Sequence, residues 1–147
     1  MTQQYQADGI SFRYPADWRL DREESEDGWT VLLQSPGTAF MTLTCDSSGA
    51  STEEMTAAAL AALRADYPTL DATPQVETLA GQMAMGHDIQ FFSLDLTNTC
   101  WTRSFYNNTG AVLILCQVND TELDEYEPVL RAICASLKVE EEPPGDD

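Results

Sequence analysis

The sequence predicts an α+β fold in which a mostly antiparallel sheet of about six to seven strands packs against two main helices. Three observations support this prediction. Period-two alternation of apolar and polar residues dominates the chain, helical spacing appears in only two segments, and short turn-rich connections join neighbouring strands. The length of 147 residues is that of one domain. We expect the domain to span residues 1–139, followed by an acidic mobile tail at 140–147.

Four segments supply the first half of the predicted sheet. Residues 10–14 alternate apolar and polar side chains and end at a proline. Residues 29–34 and 40–45 form two further strands joined by a short hairpin. The charged segment 19–24 fits an edge strand, because charges on an edge oppose pairing with another sheet.

The first predicted helix covers residues 52–66. Ser51 and Glu54 have the Ser-x-x-Glu spacing of a capping box, and alanines fill the segment that follows.

The second predicted helix runs from about residue 121 to residue 137, with Asp120 or Thr121 as its cap. Pro128 lies inside this segment and lacks the N–H that a helix needs. We therefore expect either a kink at Pro128, or a short turn at 121–126 followed by the main helix from about residue 127.

The second half of the sheet comes from residues 76–79, 83–96, 100–106 and 111–118. The last of these segments is almost continuously apolar. A strand of that kind is covered on both faces, so we expect residues 111–118 to occupy the centre of the sheet.

The charge of the chain excludes several classes of partner. Lys and Arg total 7 against 25 Asp and Glu, which gives a formal net charge of −18. Nucleic acids and anionic membrane surfaces bind proteins through clustered basic residues, and none is present here. No apolar run is long enough to span a bilayer. The negative charge fits a basic protein partner or association with cations, and it does not choose between the two. We expect a protein partner that is basic or carries an exposed hydrophobic segment, and we leave a homodimer open.

Catalytic and cofactor chemistry receives little support from the sequence. The four cysteines form no C-x-x-C motif, the single histidine cannot complete a common zinc site, and no phosphate-binding loop is present, so we expect no metal and no cofactor. His87 and Asp88 are adjacent on a strand and point to opposite faces. A Cys–His enzyme using Cys45 or Cys100 remains an alternative. The absence of a signal-like start predicts reduced thiols and a cytoplasmic location.

Aromatic side chains are the most prominent candidates for a binding surface. They fall in or beside the predicted strands, where one face could line a groove for a peptide or a ligand. The candidate partner-binding residues combine such rings with nearby acids: Trp18, Phe92, Trp101, Phe105, Glu23 and Glu24.

Two segments resemble a known superfamily. Residues 10–18 are similar to the "hydrophobic strand, Tyr-Pro-x-x-Trp" opening of the PsbP-like photosystem proteins and the Mog-type Ran-binding import factors, and residues 126–137 are similar to their C-terminal helix. The resemblance spans about residues 8–139. It implies an α/β/α sandwich with a central antiparallel sheet and a non-enzymatic role, and some bacterial members resemble chaperones of secreted effectors.

The sequence thus predicts a small acidic protein-binding module, either an adaptor or a chaperone of the effector type. A domain that binds a small apolar ligand is the first alternative, and a Cys/His enzyme is the second.

Overall fold

The computed structural model describes residues 1–140, and most of the expected tail, residues 141–147, lies outside the described residues. Ten strands and two helices follow one another along the chain. The strands are β1 (Thr2–Ala7), β2 (Ile10–Pro15), β3 (Arg19–Ser25), β4 (Gly28–Gln34), β5 (Phe40–Asp46), β6 (Asp71–Leu79), β7 (Gln82–Ser93), β8 (Leu96–Tyr106), β9 (Ala111–Asn119) and β10 (Lys138–Val139). The helices are α1 (Thr52–Asp66) and α2 (Leu123–Ala135).

The predicted α+β class is confirmed. Seven strands form one antiparallel sheet in the order β3-β4-β5-β9-β8-β7-β6. Strand β9 is the fourth of the seven, as its apolar sequence predicted, and β3 lies at one edge. The sequence did not predict the second sheet, in which β2 pairs with β1 and β10 instead of joining the main sheet.

The two helices contact opposite faces of the main sheet. Leu115 of β9 packs against the same apolar cluster as Leu60 and Leu63 of α1. Ile114 of β9 and Leu130 of α2 belong to the other apolar cluster, which also contains the inner residues of β2. Neighbouring residues of a strand point to opposite faces, so the side covered by α1 and the side covered by α2 are separated by the sheet.

Helix α1 begins at the predicted capping box. The Glu54 backbone N–H donates to the Ser51 hydroxyl at 3.0 Å, and the Ser51 N–H donates to the Glu54 carboxylate at 3.4 Å. Helix α2 differs from its prediction. It begins after Glu122, neither Asp120 nor Thr121 caps it, and it continues through Pro128 as one helix.

Arg22 joins the small sheet to the edge of the main sheet. Its guanidinium lies 2.6 Å from the Asp8 carboxylate, donates to the Tyr5 hydroxyl, and stands 5.0 Å from the centre of the Trp29 ring. Because Asp8 and Tyr5 belong to the β1–β2 hairpin, this side chain links the two sheets at their edge, in addition to the apolar cluster that they share.

We expect Ile114→Ala to lower the free energy of unfolding by about 2–5 kcal/mol, because the fully buried side chain leaves a cavity at the centre of the sheet. Urea denaturation followed by circular dichroism measures the effect. Met83→Ala is the control at an exposed position, and it should change stability by no more than about 0.5 kcal/mol. Equal losses in the two variants would contradict the central placement of β9.

Candidate functional site

Exposed apolar side chains concentrate on one end of the main sheet. Within residues 1–140, the exposed large hydrophobic residues other than Met1 all lie on β6, β7, β8 or the turn between β7 and β8: Val76, Met83, Phe92, Leu94, Leu96 and Tyr106. We call these six residues the β6–β8 surface. Phe92, Leu94 and Leu96 lie together at the turn between β7 and β8, whereas Met83 and Tyr106 lie at the opposite end of these two strands. A local cluster of exposed apolar side chains, such as that at the turn, is typical of an interaction site.

The most exposed part of the β6–β8 surface is the turn between β7 and β8. Phe92 is 71% exposed and Leu94 is 93% exposed, and Leu96 follows at the start of β8. Ser93 pairs with Leu96, so Leu94 and Asp95 form a two-residue hairpin turn. The turn therefore presents three apolar side chains at the tip of the sheet.

The backbone of this turn is strained. Leu94 and Asp95 have φ values of 54° and 62°, in the left-handed region that favours glycine or asparagine. Two of the other three two-residue hairpins in residues 1–140 place glycine at their second position, Gly9 and Gly81, and the third, Glu26–Asp27, has no residue with positive φ in its turn. A leucine held in this conformation and exposed to solvent contributes little to folding, and such strain is often retained for function.

A shallow groove lies between the N-terminal half of α1 and strands β6 and β7. It has a volume of about 190 Å³, and we call it the α1-side groove. Its walls are mostly apolar: Ala57, Pro74, Val76 and Met85 line it together with His87. Methionine suits such a surface because its flexible, polarisable side chain adapts to different partners.

His87 contributes an unpartnered polar atom to the α1-side groove. Its backbone N–H donates to the Thr102 hydroxyl at 3.1 Å, but the buried side-chain atom Nδ1 has no hydrogen-bond partner. Burial lowers the pKa of the imidazole, and the positive charges of Arg64 and Arg103 lower it further. The neutral imidazole is therefore favoured, and its buried Nδ1 remains without a hydrogen-bond partner.

On the opposite face a polar cleft of about 340 Å³ lies between α2 and β6–β8, and we call it the α2-side groove. Arg103 lies buried beside it on β8. Its Nε donates to Glu77 Oε1 at 2.6 Å, and its Nη2 donates to Asp88 Oδ1 at 2.8 Å. A third donor, Nη1, reaches the Thr102 carbonyl at 2.7 Å. These bonds satisfy a charge that would otherwise be costly to bury.

Arg131 of α2 lines the α2-side groove. Its guanidinium stands 4.0 Å from the centre of the buried Trp101 ring, in the geometry of a cation–π contact. Glu127, one turn earlier on the helix, lies 3.8 Å from it. Three carboxylates line this groove, from Asp71, Asp88 and Glu127.

The β6–β8 end of the sheet is poor in positive charge. No Lys or Arg occurs between Arg64 and Arg103 in the sequence, so β6, β7 and the first half of β8 carry none. Both basic residues beside the α2-side groove, Arg103 and Arg131, are engaged by carboxylates or by a ring. A cationic group that approaches this end therefore meets little repulsion.

Three of the six predicted partner-binding residues are corrected by the structure. Trp18, Trp101 and Phe105 are buried in the main apolar cluster, so they cannot form an exposed docking surface. Trp18 packs edge-on against Tyr126. These large rings gain more from burial in the core than from exposure.

The other three predicted residues are exposed but lie far apart. Phe92 belongs to the β6–β8 surface, whereas Glu23 and Glu24 lie on β3 at the opposite edge of the sheet. The two glutamates are adjacent on a strand and point to opposite faces. The structure therefore does not bring the six residues together.

Sequence reasoning missed Arg103, Arg131 and Leu94. The position of Arg103 could have been found from the sequence. It lies two residues from both Trp101 and Phe105, so its side chain shares their buried face of the strand. A charged residue on such a face needs partners, which should have drawn attention to the nearby acids.

The fold can be compared with solved structures. No protein-family model matches this sequence, and no curated protein matches it. The solution structure of cyanobacterial PsbP (CyanoP) from Synechocystis sp. PCC 6803 is similar with a TM-score of 0.63 at 12% identity, over 94% of this chain and 92% of that one. The chain has a PsbP-like fold.

Two further structures share the PsbP-like fold. A protein of Bacteroides thetaiotaomicron has a TM-score of 0.62 at 14% identity over 95% of this chain, which spans 48% of that protein. LpqN, involved in cell envelope biogenesis of Mycobacterium tuberculosis, has a TM-score of 0.57 at 14% identity, over 96% of this chain and 91% of LpqN. At these identities the similarity shows the fold alone.

Two features are absent from residues 1–140. Neither helix is long and apolar enough to cross a bilayer. Within the same residues, no three His, Cys, Asp or Glu side chains cluster in a way that could hold a metal ion.

We expect the double variant Glu77→Gln/Asp88→Asn to lose about 3 kcal/mol or more of unfolding free energy, because it leaves the Arg103 guanidinium buried without a carboxylate. Urea denaturation checks this value. The control Asp21→Asn removes the exposed partner of Arg19 and should cost less than about 1 kcal/mol. A double variant as stable as the control would show that the Arg103 pairs contribute nothing.

The pKa of His87 should lie below 6.5 in the folded protein and return to that value in the unfolded chain. The unfolded state then binds the proton more readily, so the free energy of unfolding falls as the pH decreases below about 6.5. Because His87 is the only histidine, its imidazole proton resonances report the titration directly. The same measurement in urea is the control, and a folded pKa at or above the urea value would refute the expectation.

Proposed function

We propose that this chain is a non-enzymatic protein-binding module built on an α/β/α sandwich of the PsbP-like kind. The single observation that carries the proposal is the concentration of exposed large hydrophobic residues on β6, β7 and β8. Elsewhere in residues 1–140, large apolar side chains other than Met1 are at least partly buried. The β6–β8 surface is therefore the part of the molecule that gains most from being covered by a partner.

The partner that suits this surface carries apolar side chains flanked by basic ones. The apolar residues would cover the turn of Phe92 and Leu94, and the basic residues would face the carboxylates of the α2-side groove. Phe92 and Asp88 share a face of β7, four residues apart, so a short segment can reach both. Charge complementarity of this kind speeds association and excludes acidic competitors.

The cysteines support a non-enzymatic role. Burial raises the pKa of the Cys100 thiol to about 12, which suppresses the thiolate that a nucleophile requires. Cys45 is buried and lies within hydrogen-bond distance of Asn107 and Thr109. His87 lies on the α1 side of the sheet, whereas Cys45 belongs to the apolar cluster on the α2 side, so these two do not form a pair.

We propose that the module acts as an adaptor or as a chaperone that shields a hydrophobic segment. The Tyr-Pro-x-x-Trp segment at residues 14–18 supports a further kinship with the Mog-type factors, and the four free thiols favour a reducing compartment such as the cytoplasm.

A small apolar ligand is the second candidate. The α1-side groove favours it, because mostly apolar walls surround one unpartnered polar atom, Nδ1 of His87. Native mass spectrometry distinguishes the two candidates, since a bound small molecule adds its own mass to the purified protein.

We expect the protein to bind a fluorescent peptide of leucines flanked by lysines and to reject the same peptide flanked by glutamates. Fluorescence anisotropy measures the affinity, which should fall as salt is added. Phe92→Ser and Leu94→Asn should each weaken binding at least about tenfold.

The variants at Leu94 separate binding from folding. Leu94→Asn suits the left-handed backbone and should leave stability unchanged or higher, so its loss of affinity cannot come from unfolding. Leu94→Met keeps an apolar side chain and should bind like the wild type. Equal binding of both peptides, or full affinity in Leu94→Asn, would overturn the proposed surface.

A further inference from the structure

Two cysteines meet in the core behind the α2-side groove. Cys116 lies on the central strand β9, and Cys134 lies in the last turn of α2. Their Sγ atoms are 3.8 Å apart. The sequence predicted that each is a small core residue, and their burial confirms this, but they are 18 residues apart and nothing in the sequence indicated that they touch.

The surroundings of the two thiols differ. Cys116 is fully enclosed, and burial raises its pKa. Cys134 keeps 7% of its surface accessible. The hydrogen bond from Cys116 lowers the pKa of Cys134, and the Arg131 guanidinium and the Trp101 side chain act in the same direction, against burial and the Glu77 carboxylate, which raise it.

The two thiols therefore have different chemical roles available to them. Cys134, which has the lower pKa and some access, is the thiol that a small oxidant meets first. The enclosed thiol of Cys116 is in contact with the thiol of Cys134. Arg131 and Trp101 also line the α2-side groove, so Cys134 lies just behind the inner wall of an open cleft.

We propose that Cys116 and Cys134 form a redox-active pair that closes to an intramolecular disulfide when the protein meets a peroxide. Hydrogen peroxide oxidises the Cys134 thiolate to a sulfenic acid, and the released hydroxide takes a proton to become water. The Cys116 sulfur then attacks the Cys134 sulfur, the S–S bond forms, and a second water leaves. Two thiols and one peroxide thus give one disulfide and two waters.

The required movement is small. The Sγ atoms must approach from 3.8 Å to the S–S bond length of about 2.05 Å. The disulfide would tie the C-terminal end of α2 to the centre of the sheet. Cys45 and Cys100 serve as internal controls for disulfide formation, because both are buried and neither has a cysteine as a hydrogen-bond partner.

Peptide mapping can test the proposal directly. The folded, fully reduced protein is treated with hydrogen peroxide, its remaining thiols are blocked with N-ethylmaleimide, and it is digested with trypsin. Cleavage after Arg and Lys places the four cysteines on four different peptides, with Cys116 on residues 104–131 and Cys134 on 132–138. We expect these two peptides to be joined with the loss of two hydrogens, while Cys45 and Cys100 carry the blocking group.

Single variants then test the order of the two steps. Cys116→Ser should stop at the sulfenic acid, which dimedone traps on Cys134, whereas Cys134→Ser should show no dimedone adduct on Cys116. Cys100→Ser is the matched control and should form the disulfide as the wild type does.

The wild-type map decides the proposal even where a variant fails to fold. Four fully blocked thiols after peroxide treatment, or a disulfide that joins any other pair, would overturn it. Neither outcome would bear on the proposed protein-binding surface, which rests on other residues.

Discussion

Strand β9 must be covered on both of its faces, and the arrangement of the whole domain follows from that requirement. Its inner residues on one face meet α2 and the small sheet, and those on the other face meet α1. Two helices and one small sheet cannot cover both faces of a seven-stranded sheet from edge to edge. Coverage is greatest near β9 and ends toward β6, which is why apolar side chains remain exposed at that end.

The same limit on coverage explains the position of the charged network. Arg103 lies near the limit of the area that α2 covers. Its guanidinium is still buried, whereas the side chains of its partners Glu77 and Asp88 are partly exposed to solvent. Water keeps the carboxylates solvated at their outer side, and the guanidinium donates to four acceptors: the carboxylates of Glu77 and Asp88 and the carbonyls of His87 and Thr102. A network of this kind fixes the spacing of β6, β7 and β8, and it keeps the exposed hydrophobic residues on a rigid support.

Elements with strong local signals were predictable from the sequence. The capping box at Ser51 and the apolar run of β9 are encoded by adjacent residues, and both were confirmed. Strand β10 has only two residues, and β1 is mostly polar, so neither carries a pattern that distinguishes it from a loop. The pairing of β10 with β2 joins residues more than 120 positions apart, which no local pattern records, whereas β1 pairs with β2 as a local hairpin through Asp8 and Gly9.

The site was less predictable than the fold, for a geometric reason. Alternation shows that Trp101 and Phe105 share a face of β8, but it does not show whether that face lies under a helix or in solvent. The turn at Leu94 and Asp95 could not be predicted, because leucine and aspartate are not the residues that usually form a two-residue hairpin turn. The contact between Cys116 and Cys134 depends on how α2 packs onto β9, which only the assembled structure reveals.

The distribution of lysine has a practical consequence. Lys138 is the only lysine in the chain, and it lies on β10 in the small sheet. Reagents that react with amines will therefore label no side chain on β6, β7 or β8. A protein immobilised through Lys138 would be attached by its small sheet, near Tyr106, because Val139 and Tyr106 line the same pocket. The turn of Phe92 and Leu94, at the opposite end of β7 and β8, would stay free to face the solution.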